Sequence, residues 1–427
     1  MDESLEAAPG PSSKAGGAMR SITHRTFARS GLFGNPSDQY GGQTIAFLLE
    51  NFYAEVTLTP SAPPSSAIRI QPHPVYDSTE YGSMRELVVK TSSEGLYGGV
   101  RLLTAATKRF AQYCEQNGIP LRNHESGDGG SGGGGGFTLS YDTNVPRQTG
   151  LAGSSAIIYS AIKCLMEWYG VDETVLPYSE HPGLVLSVEA GELGIAAGLQ
   201  DRVVQVYGGA VHMDFAVGRY SRIDSSLLPQ PLYVMYSANP SESGKVHSGV
   251  KQKWLAGDPQ VRSLMSRVVE CGREGLRLLL KGAQAGSSSS NCSSSNSDSG
   301  RGIGSGNDPK DNRDRALVEL MNRNADLRRE LFGDEVLGAL NLRMVELARA
   351  AGAGVNYTGS GGAVVVFCPR GEQQAAALAA AAAAEGFTLE RARVGPTHAP
   401  LPPAAGHRDC DDGDGDGVPA AAGAAAE

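Results

Sequence analysis

The sequence predicts an α+β fold of two domains, and three observations support this prediction. The chain has 427 residues, which is more than one domain of ordinary size contains. Setting aside four segments of linker-like composition leaves roughly 340 residues, enough for two hydrophobic cores. The remaining stretches carry strand and helix signals in two separable blocks, which is typical of α+β chains.

The linker-like segments divide the chain into its predicted parts. They are rich in Gly and Ser or in acidic residues, and such runs cannot bury enough apolar area to offset the entropy lost on ordering. We expect a disordered tail, a Gly-rich insertion, a Ser/Gly-rich insertion and a disordered acidic tail at 1–19, 125–136, 286–307 and 396–427. These segments leave an N-terminal domain over 20–225 and a C-terminal domain over 226–395.

The N-terminal block begins with strand signals and continues with a helix signal. Residues 27–32 and 44–58 are predicted strands on either side of a Gly-rich turn, and apolar alternation over 137–141 predicts a third strand. Apolar residues at helical spacing then predict a helix over 154–169, with Gly170 as the residue that ends it.

The C-terminal block carries mainly helix signals. Helices are predicted over 315–331 and 335–351, each followed by a glycine, and Asp334 is a suitable N-cap for the second. A short apolar run over 364–367 predicts a buried strand.

Charge and cysteine content argue against several classes of protein. The net charge is −9, whereas a nucleic-acid-binding chain would show a basic excess. We find no apolar run long enough to cross a bilayer and no signal or transit pattern. The 6 cysteines lie far apart without a C-x-x-C pair, which is typical of reduced thiols rather than a disulfide framework or zinc site. We therefore expect a cytoplasmic protein with no nucleic-acid and no membrane partner.

The strongest local signal is the segment NVPRQTGLAGSSA at 144–156. A predicted strand leads into a Gly-rich turn, which leads into a helix that begins with two serines. Unpaired N–H groups at a helix N-terminus attract phosphate, glycines allow close approach, and a serine hydroxyl can ligate Mg²⁺. The segment is neither a Walker A loop nor a G-x-G-x-x-G fingerprint. Taken alone, it fits an ordinary N-capped helix equally well.

Two further segments favour the phosphate-binding interpretation. They are ARSGLFGNPSDQYGG at 28–42 and YTGSGGAVVVF at 357–367. In this order and at these separations, the three segments resemble the three motifs of the GHMP small-molecule kinases. Within that family, the chain resembles the plant-type glucuronokinases over about 22–395, on PRQTGLAGSSA, NPSESGKVHSGVKQKW, LFGDEVLGALN and TGSGGAVVVFCP.

The resemblance implies both a fold and an activity. The fold is that of the two-domain GHMP kinases, with an N-terminal domain like domain 2 of ribosomal protein S5 and a ferredoxin-like C-terminal domain. The activity is phosphorylation of D-glucuronate at its anomeric hydroxyl, with ATP and Mg²⁺, which would feed UDP-glucuronate synthesis. Two alternatives stay open: another sugar 1-kinase of the family, acting on galacturonate, fucose or heptose, and a non-catalytic sugar-binding sensor.

The resemblance also implies which residues bind ATP and the metal. The phosphate loop comprises Pro146, Gly150, Leu151, Ala152, Gly153, Ser154 and Ser155. The implied metal ligands are Ser155 and Glu189, with Glu192 as a competing ligand. The family loop reads P-x-x-x-G-L-G-S-S, and Ala152 makes this loop one residue longer. Whether Ser154 or Ser155 faces the metal therefore stays open.

The catalytic pair implied by the resemblance is Asp201 and Arg29. A carboxylate within hydrogen-bond reach can accept the proton of an attacking hydroxyl, and Asp201 is the candidate for this role. Arg29 matches the arginine that lies beside this carboxylate in the family. A purely structural role for Asp201, as the cap of a helix over 202–207, is also compatible with the sequence.

The implied substrate contacts lie in the first and third motifs. The resemblance assigns sugar binding to Asn35, Asp38, Gly361 and Gly362. Without the resemblance, Asp38 would be interpreted as a turn residue after a proline. Candidates for binding the carboxylate of a sugar acid are Arg202, Lys245 and His247.

Overall fold

The structure is a computed structural model that describes most of the chain. The described residues are 20–62, 65–77, 82–86, 98–121, 135–237, 248–287 and 309–402. The predictions made for 1–19, and for most of the two insertions and the acidic tail, lie outside these residues. The same holds for Lys245 and His247.

The N-terminal domain is built on a six-stranded sheet. The strands are β1 (Ile22–Phe33), β2 (Gln43–Pro60), β3 (Ile68–Ile70), β4 (Phe137–Thr143), β5 (Ala210–Asp214) and β6 (Arg219–Ile223). The order is β3-β4-β2-β5-β6, and β1 pairs with β2. All pairs are antiparallel except the parallel pair of β3 and β4. The three strands predicted from the sequence are confirmed as parts of β1, β2 and β4.

Four helices that are described over their full length accompany this sheet. They are α1 (Gly99–Gln116), α2 (Gly153–Tyr169), α3 (His181–Leu186), which continues into a π-helical turn (Ser187–Glu192), and α4 (Gln200–Tyr207). The predicted helix over 154–169 is confirmed as α2, and Gly170 ends it with a φ of 64°. Helix α2 packs between α1 and the strands β1 and β2, so its apolar residues are buried on nearly every side.

The C-terminal domain has a ferredoxin-like topology. Its strands are β7 (Leu232–Ser237), β8 (Gly354–Tyr357), β9 (Ala363–Phe367) and β10 (Phe387–Arg391), in the antiparallel order β10-β7-β9-β8. Its helices are α5 (Ser248–Leu255), α6 (Pro259–Ser287), α7 (Pro309–Phe332), α8 (Asp334–Leu337), α9 (Ala339–Ala350) and α10 (Glu372–Ala384). This arrangement confirms the predicted α+β fold of two domains and the buried strand over 364–367. Within the described ranges, no helix combines the length and apolar character that crossing a membrane requires.

The helix predicted over 335–351 is wrong, because the structure divides it. Helix α8 ends at Gly338, whose φ of 78° is left-handed, and α9 begins directly afterwards. Asp334 does not act as the predicted N-cap. Gly333 occupies that position, and the carboxylate of Asp334 instead accepts a hydrogen bond from Arg329 Nη2 at 2.6 Å.

Strand β2 contributes side chains to both hydrophobic cores. Ile45, Phe47 and Leu49 belong to the core shared with the C-terminal domain. Ala46 and Leu48 belong to the core beneath α1 to α4. This alternation follows from the two-residue period of a strand, which directs successive side chains to opposite faces. The C-terminal domain and the N-terminal helices α1 to α4 are therefore packed on opposite faces of this strand.

The chain returns to the N-terminal domain after β10. Gly395 N–H donates to the Leu48 carbonyl at 2.9 Å, and His398 N–H donates to the Tyr207 carbonyl at 2.9 Å. Ala399 is buried, and its carbonyl accepts a hydrogen bond from Arg222 Nη2 at 2.8 Å. The prediction that the disordered tail begins at 396 is therefore wrong at its start, because residues 396–402 are part of the described fold.

We expect this returning segment to stabilise the N-terminal domain. A chain that ends after Arg393 should have a Tm more than about 5 °C lower than a chain that ends after Pro402. The reason is that several hydrogen bonds of about 1 kcal/mol each are lost, and 1 kcal/mol corresponds to about 2–4 °C in a domain of this size. Thermal unfolding of the two chains, followed by circular dichroism, measures the difference. Equal Tm values would contradict a stabilising role.

Candidate active site

A cleft of about 980 Å³ lies between the two domains. Both domains contribute to its wall: it is lined by residues 145–154, Asp38, Glu189, Asp201, Arg328 and Gly359. The structure thus brings together residues from the three sequence motifs, the first and last of which are more than 300 positions apart along the chain.

The phosphate loop connects β4 to the N-terminus of α2. Gln148, Gly150 and Ala152 have left-handed φ angles of 57°, 63° and 64°. Such residues turn neighbouring N–H groups towards one side, which creates a concave anion-binding surface. The first turn of α2 adds further unpaired N–H groups and the positive end of the helix dipole.

Ala152 is the additional residue of this loop, and the structure shows how it is accommodated. It occupies the N-cap position of α2 in a left-handed conformation that costs a residue with a Cβ about 1–2 kcal/mol. Its carbonyl accepts hydrogen bonds from Gln205 Nε2 at 2.9 Å and from Ser155 Oγ at 3.1 Å. These contacts hold the loop in the conformation that aims α2 at the cleft.

The third motif supports the phosphate loop from behind. A Cβ placed on Gly359 would lie 2.2 Å from the Gly150 carbonyl oxygen, and one on Gly362 would lie 2.2 Å from the Gln148 carbonyl oxygen. Gly359 lines the cleft, whereas Gly361 and Gly362 are buried and do not line it. The geometry therefore favours support of the loop over the predicted substrate contact for Gly361 and Gly362.

Arg29 and Asp201 form a hydrogen-bonded ion pair at the centre of the cleft. Arg29 Nε donates to Asp201 Oδ1 at 2.5 Å, and Arg29 Nη1 donates to the carbonyls of Gly150 at 2.7 Å and Thr358 at 3.1 Å. Asp201 lies in the first turn of α4, whose N-cap is Leu199, so capping is not its role. The sequence prediction that these two side chains lie together agrees with this geometry.

Ser154, and not Ser155, faces the predicted metal ligand Glu189. Ser154 Oγ donates to Glu189 Oε1 at 2.6 Å. Ser155 is fully buried, and its hydroxyl is turned back onto the carbonyl of Ala152. The geometry therefore argues against the sequence assignment of Ser155 as a ligand. Glu192, the competing candidate, instead forms an ion pair with Lys108.

The oxygen atoms of Ser154 and Glu189 suit Mg²⁺ chemically. This ion prefers hard oxygen donors and commonly takes only one or two protein ligands beside substrate phosphates. The described part of the chain contains no cluster of three or more His, Cys, Asp or Glu side chains that could hold a metal. Arg202 forms an ion pair with Glu189 Oε2 and thereby orients this carboxylate.

Asp38 lies in the short helical turn Ser37–Tyr40 and points towards α4. Its Oδ2 accepts a long hydrogen bond, 3.4 Å, from the N–H of Gln200. Burial, and next the charge of Asp201, raise the pKa of Asp38 from 3.8 to about 6. This carboxylate is therefore incompletely compensated in the ligand-free protein.

Asn35 connects the first motif to the C-terminal domain through two hydrogen bonds of its side chain. Its side-chain amide donates to the Tyr357 carbonyl at 2.9 Å, and its Oδ1 accepts from Asn356 Nδ2 at 3.2 Å. Both polar groups of this side chain thus already have protein partners, so the geometry gives little support to the sequence assignment of Asn35 as a sugar ligand.

Sequence reasoning missed Arg328, a buried cation on α7 that lines the cleft. It is 1% exposed, and its Nη2 donates to the Gly359 carbonyl at 2.7 Å. Burial lowers the pKa of Arg328 to about 10. A signal was present in the sequence, because polar residues share the buried face of α7 with apolar ones: Met321, Asn324, Arg328 and Leu331.

Comparisons with known proteins agree with this geometry. Family models described as "GHMP kinases N terminal domain" and "GHMP kinases C terminal" match residues 107–209 and 310–386. Glucuronokinase 1 of Arabidopsis thaliana is 46% identical over 391 residues, which cover 90% of this chain and 94% of that protein. Probable glucuronokinase 2 of the same plant is 45% identical, with coverages of 88% and 92%. The crystal structure of Methanococcus jannaschii mevalonate kinase shares the fold, with a TM-score of 0.58, 16% identity and coverages of 88% and 98%.

Replacing Asp38 by Asn should stabilise the ligand-free protein at neutral pH. Well below pH 3.8, the carboxyl is protonated in both the folded and unfolded states, and its burial carries no charge cost. Above about pH 6 it is ionised in both, and the folded state bears the full cost of burying the charge. We therefore expect Asp38→Asn to raise the free energy of unfolding by about 1–3 kcal/mol at pH 7.5 and by less at pH 5.

Denaturant unfolding of both proteins at the two pH values measures this difference. Asp172→Asn, at an exposed carboxylate, is the matched control and should show no such gain at pH 7.5. An Asp38→Asn protein less stable than the parent at pH 7.5 would mean that the neighbouring arginines already compensate the charge of Asp38.

Proposed function

Since the chain belongs to the GHMP kinase family, we propose that it is a glucuronokinase, which transfers the γ-phosphoryl group of ATP to the anomeric hydroxyl of D-glucuronate. The products are D-glucuronate 1-phosphate and ADP. The observation that carries the proposal is the position of the Asp201 carboxylate, which Arg29 holds in the same cleft as the N-terminus of α2. The identity to the glucuronokinases of Arabidopsis thaliana supports this choice of substrate.

The phosphate loop would hold the triphosphate of ATP. Backbone N–H groups of 150–155 and the positive end of α2 would bind its oxygens. Ser154 and Glu189 would hold Mg²⁺, which when bound offsets the charge of the phosphate oxygens. Because phosphoryl transfer demands mainly positioning and charge compensation, a rigid loop of this kind contributes directly to the rate.

Asp201 would activate the sugar hydroxyl. Its carboxylate is one-fifth exposed at the cleft, so a bound sugar can donate a hydrogen bond to it. As the new bond to phosphorus forms, Asp201 would receive the hydroxyl proton, and Arg29 would keep the carboxylate oriented. An anomeric hydroxyl is more acidic than an ordinary alcohol, which lowers the demand on this base. Asp38 would bind other hydroxyls of the sugar.

A panel of sugars tests the proposal. At matched ATP and Mg²⁺, kcat/KM should be highest for D-glucuronate, lower for D-galacturonate and lowest for D-glucose. Galacturonate keeps the carboxylate and inverts only one hydroxyl. Glucose lacks the carboxylate, so the protein groups that would bind it stay buried without a partner. ADP release measures the rates, and phosphorus NMR identifies the phosphorylated position.

Two outcomes would contradict this assignment. A higher kcat/KM for galacturonate, fucose or a heptose would keep the kinase reaction and change the substrate. Sugar binding without ADP release would indicate a non-catalytic sensor.

Replacing Asp201 by Asn should lower kcat by roughly 10²–10⁴-fold, because the amide keeps the shape of the side chain but cannot accept the proton. Sugar affinity should change little. Asp172→Asn, the same substitution at an exposed position, is the control and should keep the parental kcat. Steady-state kinetics and a thermal-shift titration with glucuronate measure the two effects. An Asp201→Asn protein within about threefold of the parental kcat would exclude Asp201 as the base.

A further inference from the structure

Arg328 differs from the other buried arginines of the cleft in its electrostatic surroundings. Arg29 and Arg202 each form ion pairs with carboxylates of the site. Within the described residues, Arg328 has no carboxylate oxygen at ion-pair distance, although it is 1% exposed. Asp38 and Arg29 act on its charge from longer range. A buried charge without a counter-ion is costly, so this position indicates a ligand that supplies one.

The hydrogen bonds of Arg328 to described residues leave part of its guanidinium unsatisfied. Nη2 donates to the Gly359 carbonyl, while the buried Nε has no hydrogen-bond partner among the described residues. Cζ of Arg328 lies over the rings of Tyr357 and Phe332, 5.1 and 5.7 Å from their centroids. Packing thus fixes the plane of the guanidinium, and such a preorganised fork matches the two oxygens of a carboxylate.

Helix α7 places this guanidinium beside the predicted sugar site. Asn324, one helical turn before Arg328, accepts a hydrogen bond from the Gly34 N–H at 2.7 Å. The same helix face therefore contacts both the loop that carries Asp38 and, through Arg328, the third motif at Gly359. Arg328 is consequently a cation of the C-terminal domain held over a cleft whose other ligand-binding residues come mainly from the N-terminal domain.

We propose that Arg328 is the specificity-determining residue of the site and binds the carboxylate of the sugar acid. This inference rests on the proposed function. It replaces Arg202, one of the candidates from the sequence, because the guanidinium of Arg202 is already engaged by Glu189, Asp201 and the Gly198 carbonyl. A neutral sugar leaves the charge of Arg328 buried and unpaired, which provides the physical basis for rejecting it.

The test is the variant Arg328→Met, assayed with D-glucuronate and with D-glucuronamide, its neutral analogue. We expect the ratio of kcat/KM for the acid over the amide to fall at least 100-fold, because the charge-assisted hydrogen bonds are lost. The kcat/KM for the acid should account for this fall, while the kcat/KM for the amide should stay within about threefold of the parental value. The KM for ATP should not change.

Two variants complete the design. Arg329→Met changes the adjacent, exposed arginine of α7, which pairs with Asp334, and should leave the ratio unchanged. Arg328→Lys keeps the charge without the planar fork and should give an intermediate ratio. Because both substrates are measured on the same preparation, the ratio is insensitive to any loss of folded protein. Methionine also preserves the apolar packing against Tyr357.

The possible results separate this inference from the proposed function. If the parent phosphorylates glucuronate and Arg328→Met lowers kcat/KM equally for the acid and the amide, the inference is wrong. Arg328 then binds the transferred phosphoryl group or supports the fold. If the ratio does not change at all, the carboxylate is bound elsewhere. If the parent uses another sugar and not glucuronate, both the proposed function and the inference fail.

Discussion

The buried guanidinium of Arg29 is the contact on which the geometry of the site depends. From strand β1 it reaches Asp201 on α4, the carbonyl of Gly150 in the phosphate loop and the carbonyl of Thr358 in the third motif. One side chain thereby sets the distances between the base, the loop and the C-terminal domain. Since a largely shielded carboxylate is disfavoured without its hydrogen-bonded cation, the position of Asp201 depends on this pairing.

The sequence predicted best what depends on local pattern. Alternation identified strands β1, β2 and β4, and helical spacing with a terminal glycine identified α2. It failed where a single backbone conformation decides the result, as at Gly338, whose left-handed φ divides a segment that otherwise has continuous helical character. It also failed at residues 396–402, because their partners lie on strand and turn residues distant in the chain.

For the residues of the site, too, the sequence predicted some features and missed those that depend on backbone conformation or tertiary packing. The resemblance to the GHMP kinases was enough to predict that Arg29, Asp201 and Glu189 belong to one site, but it could not decide which serine faces Glu189. That choice depends on the left-handed conformation of Ala152, which turns the hydroxyl of Ser154 outwards and that of Ser155 back towards the loop. Arg328 escaped notice for a similar reason, since a charged residue on a helix is usually solvated, and its spacing with apolar residues of α7 becomes decisive only when tertiary packing shows that it is buried.

The return of the chain from β10 to the N-terminal domain has a consequence for biosynthesis. While the ribosome is still producing the C-terminal domain, the backbone groups of Leu48, Tyr207 and Gly209 have not yet met the residues that will cover them. The nascent N-terminal domain therefore cannot acquire its complete set of contacts as an independent unit, although domains commonly fold in order of synthesis. The segment 395–399 that completes these hydrogen bonds leaves the ribosome only after the C-terminal domain. The N-terminal domain therefore reaches its full set of contacts only after the second domain has been translated.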